Sequence, residues 1–183
     1  GAAQGLQYRE QQALSAFKKG EEPLVLCSLG DGAVTEGEVS EALQMAVLHG
    51  YPIIYLIQDN EWDISAHSSE IRAQDAPDYA KGFKGLKVES IDGTDFVESY
   101  ETMSRVVNYV RTHRQPYLVH AKVPLLNHHT SGVRKEWYRP KDNLESDALR
   151  DPFNKLKKHL LYEKIETAEE LTRIEEEVRQ HVK

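Results

Sequence analysis

The sequence predicts a three-layer α/β/α fold in which helices cover both faces of a mainly parallel sheet. Four apolar segments with many β-branched residues recur along the chain, at residues 23–29, 52–58, 86–91 and 116–123. They lack the polar–apolar alternation of a strand with one solvated face, which indicates burial on both faces. Helical patterns and short connections separate them, and this alternation is typical of a parallel sheet.

Start and stop signals delimit the helices between these strands. Residues 36–49 carry apolar side chains on one face, and Thr35 with Glu38 matches a capping box at the start. Residues 95–112 show the same periodicity, with Asp95 as the predicted cap. We therefore expect two crossover helices, each between two strands.

Composition excludes several classes of protein. The 183 residues are 39% hydrophobic and 29% charged, a balance typical of a globular domain, and the net charge is −7. A negative chain gives no electrostatic basis for binding nucleic acid or an anionic membrane, and no apolar stretch is long enough to span a bilayer. The single cysteine, Cys27, is predicted to be a small core side chain, and it suits a reducing compartment, so we expect a cytoplasmic protein.

The chain divides into three parts by composition. Residues 1–124 form the predicted core of the domain, and residues 125–151 are polar and rich in turn formers, which predicts a long functional loop. Residues 152–183 predict a C-terminal extension of two helices, the second capped by Thr167. The first residues read as a helix already under way and lack an initial Met, so we expect a fragment of a longer protein.

Polar residues follow two consecutive strands at the ends where ligands bind in open α/β sheets. Gly30-Asp31-Gly32 follows the first strand, and Asp59-Asn60 follows the second. The glycines predict tight or left-handed backbone that lets an anion approach, and the helix that begins near Glu36 directs free N–H groups to the same region. Either motif alone would more readily be a simple strand-to-helix turn or a strand terminator.

Together the two motifs supply oxygen ligands suited to a divalent cation. Asp31 offers a carboxylate, Asn60 an amide oxygen, and the following turn a backbone carbonyl such as that of Trp62. These are too few for a complete protein site, but they suit Mg²⁺ that takes its other ligands from a phosphate-bearing molecule and water.

At this level the sequence resembles a known family. Gly-Asp-Gly followed by Asn-Asn, or a close variant, is the thiamine diphosphate motif. The stretches "GDGAVTEGEVSEAL", "PIIYLIQDNEWDIS", "VESIDGTD" and "HHTSGVRKEWYR" occur in the same order as blocks of the alpha subunit of the decarboxylating component of 2-oxo acid dehydrogenase complexes. The resemblance covers nearly the whole chain and implies the transketolase-like, thiamine diphosphate-binding fold.

The resemblance also implies roles for individual residues. Mg²⁺ would be held by the side chains of Asp31 and Asn60 and by the backbone carbonyl of Trp62. His129 would be the active-site histidine, and Thr130 lies where some relatives have a phosphorylated serine. The implied cofactor contacts come from Gly30, Asp31, Gly32, Ala33, Gln58, Asn60, Trp62, Ile64 and His129.

Two positions depart from the pattern of the family. Asp59 stands where the family often has a first Asn, and Gln58 stands where branched-chain relatives commonly have a phosphate-binding Arg. The change to Gln removes a charge-assisted contact, and Asp59 adds negative charge near a diphosphate. Either Asp59 faces into the protein, or another cation compensates for it.

The resemblance implies partners as well. A pyrimidine-binding domain would come from a beta subunit or from a fused second half, giving a heterotetramer or a homodimer of fused chains, and acyl groups would pass to a lipoyl-bearing acyltransferase. The substrate would be a 2-oxo acid, and this chain alone would be inactive. The alternatives are an acetoin dehydrogenase-type enzyme, a sugar-transferring enzyme of the transketolase type, and a non-catalytic assembly module supported mainly by Gln58 and Asp59.

Overall fold

The computed structural model describes residues 1–14, 17–18 and 20–182. Its main sheet contains four strands that are all parallel and lie in the order β1-β2-β6-β5, while β3 and β4 form a separate antiparallel pair. The predicted parallel sheet and its four strand segments are confirmed. The strands are β1 (Val25–Gly30), β2 (Ile53–Asp59), β3 (Trp62–Asp63), β4 (Ala66–His67), β5 (Lys87–Asp92) and β6 (Tyr117–Lys122).

Helices connect these strands and extend the chain beyond them. They are α1 (Ala2–Gln11), α2 (Gly37–His49), α3 (Ser68–Ile71), α4 (Ala76–Ala80), α5 (Phe96–His113), α6 (Lys141–Leu149), α7 (Pro152–Tyr162) and α8 (Ala168–Val182). Two short 3₁₀ turns lie at Asp31–Thr35 and Lys135–Trp137. In the described ranges, no helix is both long enough and apolar enough to cross a bilayer.

Apolar side chains pack on both faces of the sheet, which makes the fold three-layered. On one face, Leu43 of α2 and Ala80 of α4 join a buried cluster with Ile57. On the other face, Val110 of α5 packs in a second cluster with Val119. Burial on both faces explains why the strand sequences are continuously apolar.

Two of the three predicted helix caps form as expected. Asp95 accepts a hydrogen bond from the backbone N–H of Glu98 at 3.0 Å, and Thr167 accepts one from Glu170 at 3.2 Å. The predicted cap at Thr35 is wrong, because Thr35 belongs to the 3₁₀ turn that follows β1. Helix α2 therefore begins one residue later than predicted, at Gly37, and its N-cap residue Glu36 makes no side-chain capping hydrogen bond.

The polar segment 125–151 is more ordered than the sequence predicts. It contains the nine-residue helix α6, whose apolar periodicity is weak because it buries the polar residue Asp147. The division of the chain at residues 124 and 151 stays a prediction. Cys27 is half-buried and packs against the core, in keeping with the role predicted for it.

An acidic residue at the end of β5 bonds helix α7 to the sheet. Asp92 accepts hydrogen bonds from Thr94 Oγ1 at 2.6 Å and from Lys155 Nζ of α7 at 2.9 Å. Burial acts to raise the pKa of Asp92, but these hydrogen bonds and the Lys155 charge lower that pKa to about 2. Asp92 thus stabilises the folded state in its ionised form.

We expect Asp92→Asn to lower the free energy of unfolding near neutral pH by about 1 kcal/mol or less, because the pair is partly exposed to solvent. A lowered folded-state pKa gives stability that is present above the unfolded value of 3.8 and is lost as the pH falls through about 2. Urea denaturation of both proteins at several pH values measures this difference. A difference that stayed constant across the acid range would contradict the electrostatic explanation, and Lys158→Gln on the same helix is the control.

Candidate active site

The carboxyl ends of the four parallel strands lie at one edge of the sheet. Gly30 is paired in register with Gln58, and both Asp59 and Asp92 are in register with Lys122. The 3₁₀ turn after β1 and the turn after β2 are therefore neighbours at this edge, where ligands bind in open α/β folds.

Asp31 and Asn60 lie side by side at these two strand ends, in contact through the Asn60 backbone, and their role as metal ligands stays a prediction. The backbone N–H of Asn60 donates to Asp31 Oδ1 at 3.3 Å, although the two residues are 29 positions apart. Asp31 is buried, with 1% of its surface exposed. Burial, and after it the neighbouring Asp59 carboxylate, raise the pKa of Asp31, while the charge of Arg72 acts in the opposite direction. A buried carboxylate of this kind is stabilised by further positive charge.

Side-chain hydrogen bonds hold the turn that carries Asn60 and Trp62. Asp59 Oδ1 accepts from the Glu61 N–H at 3.0 Å, and Asn60 Oδ1 accepts from the Trp62 N–H at 2.9 Å. Glu61 has a φ of 65° and Ile64 a φ of 54°, both in the left-handed region that is unusual for such residues, above all for β-branched Ile64. Strained backbone of this kind concentrates at functional sites.

Asp59 faces into the protein and is compensated by two other side chains, so both explanations offered for this departure hold. Its Oδ2 lies 2.7 Å from His120 Nε2, and its Oδ1 lies 3.6 Å from Arg72 Nη2. Burial would raise the pKa of Asp59, but the hydrogen bonds from His120 and the Glu61 N–H bring that pKa down to about 2. Ser90 Oγ lies 3.2 Å from His120 Nδ1 and extends this series of hydrogen-bonded side chains by one residue.

Gln58 lies one residue before this cluster and points elsewhere. Its Oε1 accepts a hydrogen bond from Ser28 Oγ of β1 at 2.7 Å. Successive side chains of a strand alternate between faces, so Gln58 lies on the sheet face opposite to Asp59.

Neither glycine of the motif has left-handed backbone, and the tight turn that the motif predicts is present as the 3₁₀ turn Asp31–Thr35, which contains Gly32. Gly30 has a φ of −76°, Gly32 is not among the residues with positive φ, and a Cβ at Gly30 would meet nothing within 4 Å. Gly32 is instead required by a close approach, because a Cβ there would lie 2.8 Å from Asp63 Cγ. Ala33 follows within the same 3₁₀ turn, ahead of α2.

The loop that carries His129 is anchored against Trp62. The Tyr138 ring lies 5.4 Å from the Trp62 ring, and the Arg139 guanidinium lies 5.2 Å from it. His129 and Thr130 are exposed, and within the described part of the chain the His129 side chain makes no hydrogen bond. The structure thus brings the loop to a predicted metal ligand and leaves His129 accessible.

Three residues of this site are not predicted from the sequence. Arg72 and Arg139 lie in polar stretches without a distinguishing pattern, and nothing local indicates their partners. His120 carried a usable signal, because a lone histidine in the apolar strand "YLVHAK" needs a buried hydrogen-bonding partner.

The donor set at the sheet edge fits a magnesium ion. It combines the buried carboxylate of Asp31 with the oxygen-bearing turn at Asn60 and Trp62, and oxygen ligands are those that Mg²⁺ prefers. Among residues 1–14, 17–18 and 20–182 there is no cluster of three His, Cys, Asp or Glu side chains that could hold a metal by itself. A cation here would take its remaining ligands from a bound molecule and water.

Comparison with known proteins assigns the chain to a family. The family model described as "Dehydrogenase E1 component" matches residues 2–183. The chain belongs to the dehydrogenase E1 component family. The resemblance inferred from the ordered sequence blocks is thereby confirmed.

Alpha subunits of 2-oxo acid dehydrogenases are among the relatives of this E1-family chain. It is 34% identical over 157 residues to the pyruvate dehydrogenase E1 component subunit alpha of Rickettsia bellii, covering 85% of this chain and 47% of the relative. It is 33% identical over 180 residues to the Porphyra purpurea subunit, covering 98% and 51%. The 3-methyl-2-oxobutanoate dehydrogenase subunit alpha of Mycobacterium tuberculosis is 31% identical over 153 residues, covering 81% and 40%.

A solved structure confirms the transketolase-like fold of this E1-family chain. The transketolase of Campylobacter jejuni superposes with a TM-score of 0.53 at 23% identity, covering 66% of this chain and 18% of that one. At this identity the match concerns the fold alone. The chain spans about half the length of the curated relatives it matches.

Proposed function

We propose that this chain is the diphosphate-binding part of the decarboxylating component of a 2-oxo acid dehydrogenase complex. It would bind thiamine diphosphate through Mg²⁺ and take part in oxidative decarboxylation of a 2-oxo acid, with transfer of the acyl group to a lipoyl group. The observation that carries the proposal is the meeting of Asp31 and Asn60 at neighbouring strand ends, joined by a 3.3 Å hydrogen bond.

The residues at this edge have distinct tasks in the proposal. The Asp31 carboxylate, the Asn60 side-chain oxygen and the Trp62 carbonyl would hold Mg²⁺, and the Gly32 and Ala33 backbone would face the diphosphate. Gly30 and Ile64 are proposed to line the same region, whereas the contact predicted for Gln58 stays a prediction, because its side chain bonds to Ser28 on the sheet face opposite to Asp59. When bound, the cofactor supplies the carbon that attacks the 2-oxo group and accepts the electron pair left by carbon dioxide.

His129 is proposed to act at the reacting end of the substrate. An exposed imidazole on a loop anchored by Arg139 presents ring nitrogens that can donate or accept a hydrogen bond or a proton, as a general acid or base does. Thr130, next to it, is exposed in the same loop, and its phosphorylation is not part of this proposal.

The partner proteins, the cellular location and the substrates are part of the same proposal. The proposal includes a beta subunit or fused half that brings the pyrimidine-binding domain and a lipoyl-bearing acyltransferase; a cytoplasmic location is proposed from the single cysteine alone. The relatives include enzymes named for pyruvate and for 3-methyl-2-oxobutanoate, and both acids are the substrates to test first. Of the two departures that support the assembly-module alternative, only Gln58 remains, because the Asp59 carboxylate is hydrogen-bonded to His120 and lies beside the Arg72 guanidinium.

Calorimetry tests the binding step directly. We expect the complete protein with its pyrimidine-domain partner to bind thiamine diphosphate only when Mg²⁺ is present. Binding that did not require a divalent cation, or no heat at millimolar cofactor, would contradict the proposal.

We expect His129→Ala to reduce turnover of a 2-oxo acid by the assembled enzyme by about 100-fold, a contribution typical of a positioned acid or base. Cofactor affinity should fall much less than turnover, because most of the binding is proposed to come from Mg²⁺ and the diphosphate, and His129 is only one further contact. Steady-state kinetics with calorimetry separates the two effects. His128→Ala is the matched control, since His128 Nδ1 is engaged by the Lys135 N–H at 3.3 Å within the loop, and an equal loss in both variants would argue against a specific role for His129.

A further inference from the structure

Arg72 lies between two buried carboxylates at the candidate metal site. Its Nη2 is 2.9 Å from Asp31 Oδ2 and 3.6 Å from Asp59 Oδ1, and its Nη1 is 3.4 Å from the Asp31 backbone oxygen. Only 5% of the Arg72 side chain is exposed. The guanidinium therefore provides fixed positive charge at the carboxylate proposed to hold the cation.

The two carboxylates depend on Arg72 to different degrees. Asp59 has two other close partners, His120 Nε2 at 2.7 Å and the Glu61 N–H at 3.0 Å. Asp31 has, besides Arg72, the longer contact with the Asn60 N–H at 3.3 Å. Arg72 is thus the main counter-charge of Asp31 and an additional one for Asp59.

A divalent cation at Asp31 must share that carboxylate with Arg72. Two cations on one buried carboxylate repel each other strongly, because the interior screens charge poorly. Binding of the cation and the Arg72–Asp31 ion pair are therefore coupled, and such coupling acts equally in both directions.

Arg72 has an alternative acceptor within reach. Asp59 Oδ1 lies just beyond hydrogen-bonding distance of the Nη2 atom that contacts Asp31. Arg72 Nε is buried and has no hydrogen-bond partner, so the present pose leaves one of its donors unused. A small reorientation toward Asp59 would keep the guanidinium paired while it released an oxygen of Asp31.

We propose that Arg72 competes with the divalent cation for the Asp31 carboxylate, and that Asp59 is the acceptor to which Arg72 moves when the cation binds. This proposal rests on the part of the proposed function that places a metal at Asp31. Arg72 and Asp59 are positioning residues in this scheme, and neither contacts the reacting atoms. The proposal also explains why position 59 carries an aspartate. An asparagine there would hold the Arg72 guanidinium less strongly than the carboxylate does.

The test is a titration of the complete protein with Mn²⁺ alone. Electron paramagnetic resonance measures the concentration of free Mn²⁺ at each step of the titration. We expect Arg72→Gln to bind Mn²⁺ about tenfold more tightly, because the competing charge is gone. We expect Asp59→Asn to bind it about tenfold more weakly, because Arg72 then has Asp31 as its only carboxylate. Arg105→Gln is the matched control, as it removes an equivalent but exposed ion pair with Glu89 and should leave affinity unchanged.

Opposite signs for the two variants would support the proposal. Unchanged or weaker Mn²⁺ binding by folded Arg72→Gln would overturn it. If Arg72→Gln fails to fold, Asp59→Asn decides, and unchanged or tighter binding by that variant overturns the proposal. Thiamine diphosphate is titrated separately with saturating Mg²⁺: opposite Mn²⁺ responses without cofactor binding would support the competition and reject the proposed function.

Discussion

Asp31→Asn is expected to lower the affinity for thiamine diphosphate with Mg²⁺ by about 1,000-fold, because removing one charged partner from a buried site costs roughly 2–5 kcal/mol and each 1.4 kcal/mol is tenfold. Asn keeps the size of the side chain and can still accept the Asn60 N–H, so the geometry of the strand ends is preserved. What disappears is the negative charge that the cation and Arg72 share. Calorimetry on the assembled protein measures the loss.

Asp63→Asn provides the matched control for this experiment. Asp63 also lies at this edge, against Gly32, but it is exposed and is not a proposed metal ligand. We expect cofactor affinity to remain equal or to rise slightly, because a negative charge near the diphosphate is removed. Equal losses of cofactor affinity in the two variants would show that the total negative charge at this edge, and not coordination by Asp31, governs binding.

Arg139→Met is expected to have the largest effect on stability, lowering the free energy of unfolding by about 3–5 kcal/mol, the usual cost of breaking a buried ion pair from one side. The Arg139 side chain is fully buried and bonds to Asp147 of α6, to Asn143 and to the Leu125 carbonyl. It also lies over the Trp62 ring, so its loss loosens the loop that carries His129. Chemical denaturation gives the energy.

Two further variants locate the origin of that loss. Arg150→Met removes a longer, partly exposed contact with the same Asp147, at 3.9 Å, and should cost only about 0.5 kcal/mol. The double variant Arg139→Met with Asp147→Leu should recover part of the stability, because no charge is left buried without a partner. A double variant less stable than Arg139→Met alone would show that the other contacts of Asp147, such as its hydrogen bond from the Leu125 N–H at 3.0 Å, outweigh the cost of its unpaired charge.

Local patterns predicted the elements of the fold well where the packing was regular. The four strands, the helices α2 and α5 and the two C-terminal helices follow from apolar periodicity and cap residues such as Asp95. The same signal failed at Thr35 because a 3₁₀ turn, which has no comparable pattern, occupies the residues between β1 and α2. Helix α6 was missed because its buried face is polar and is stabilised by Arg139.

The candidate site likewise has one part that local patterns predicted and another part that they did not predict. The placing of Asp31 and Asn60 together needed only two consecutive parallel strands, since their carboxyl ends must share an edge. The residues that neutralise Asp31 and Asp59 could not be predicted, because Arg72 reaches Asp31 across 41 positions and His120 reaches Asp59 across 61. No local pattern links residues so far apart.

By itself, the sequence determined that this chain builds a parallel sheet with an aspartate and an asparagine at neighbouring strand ends. It also determined the family, through the order of its motifs. The tertiary structure alone decided how the buried charges are matched: which arginine pairs with Asp31, where Asp59 points and what anchors the histidine loop. The physical reason is that periodicity and capping are local properties of a chain, whereas neutralising a buried charge depends on whichever side chain the packed loops bring within a few ångströms.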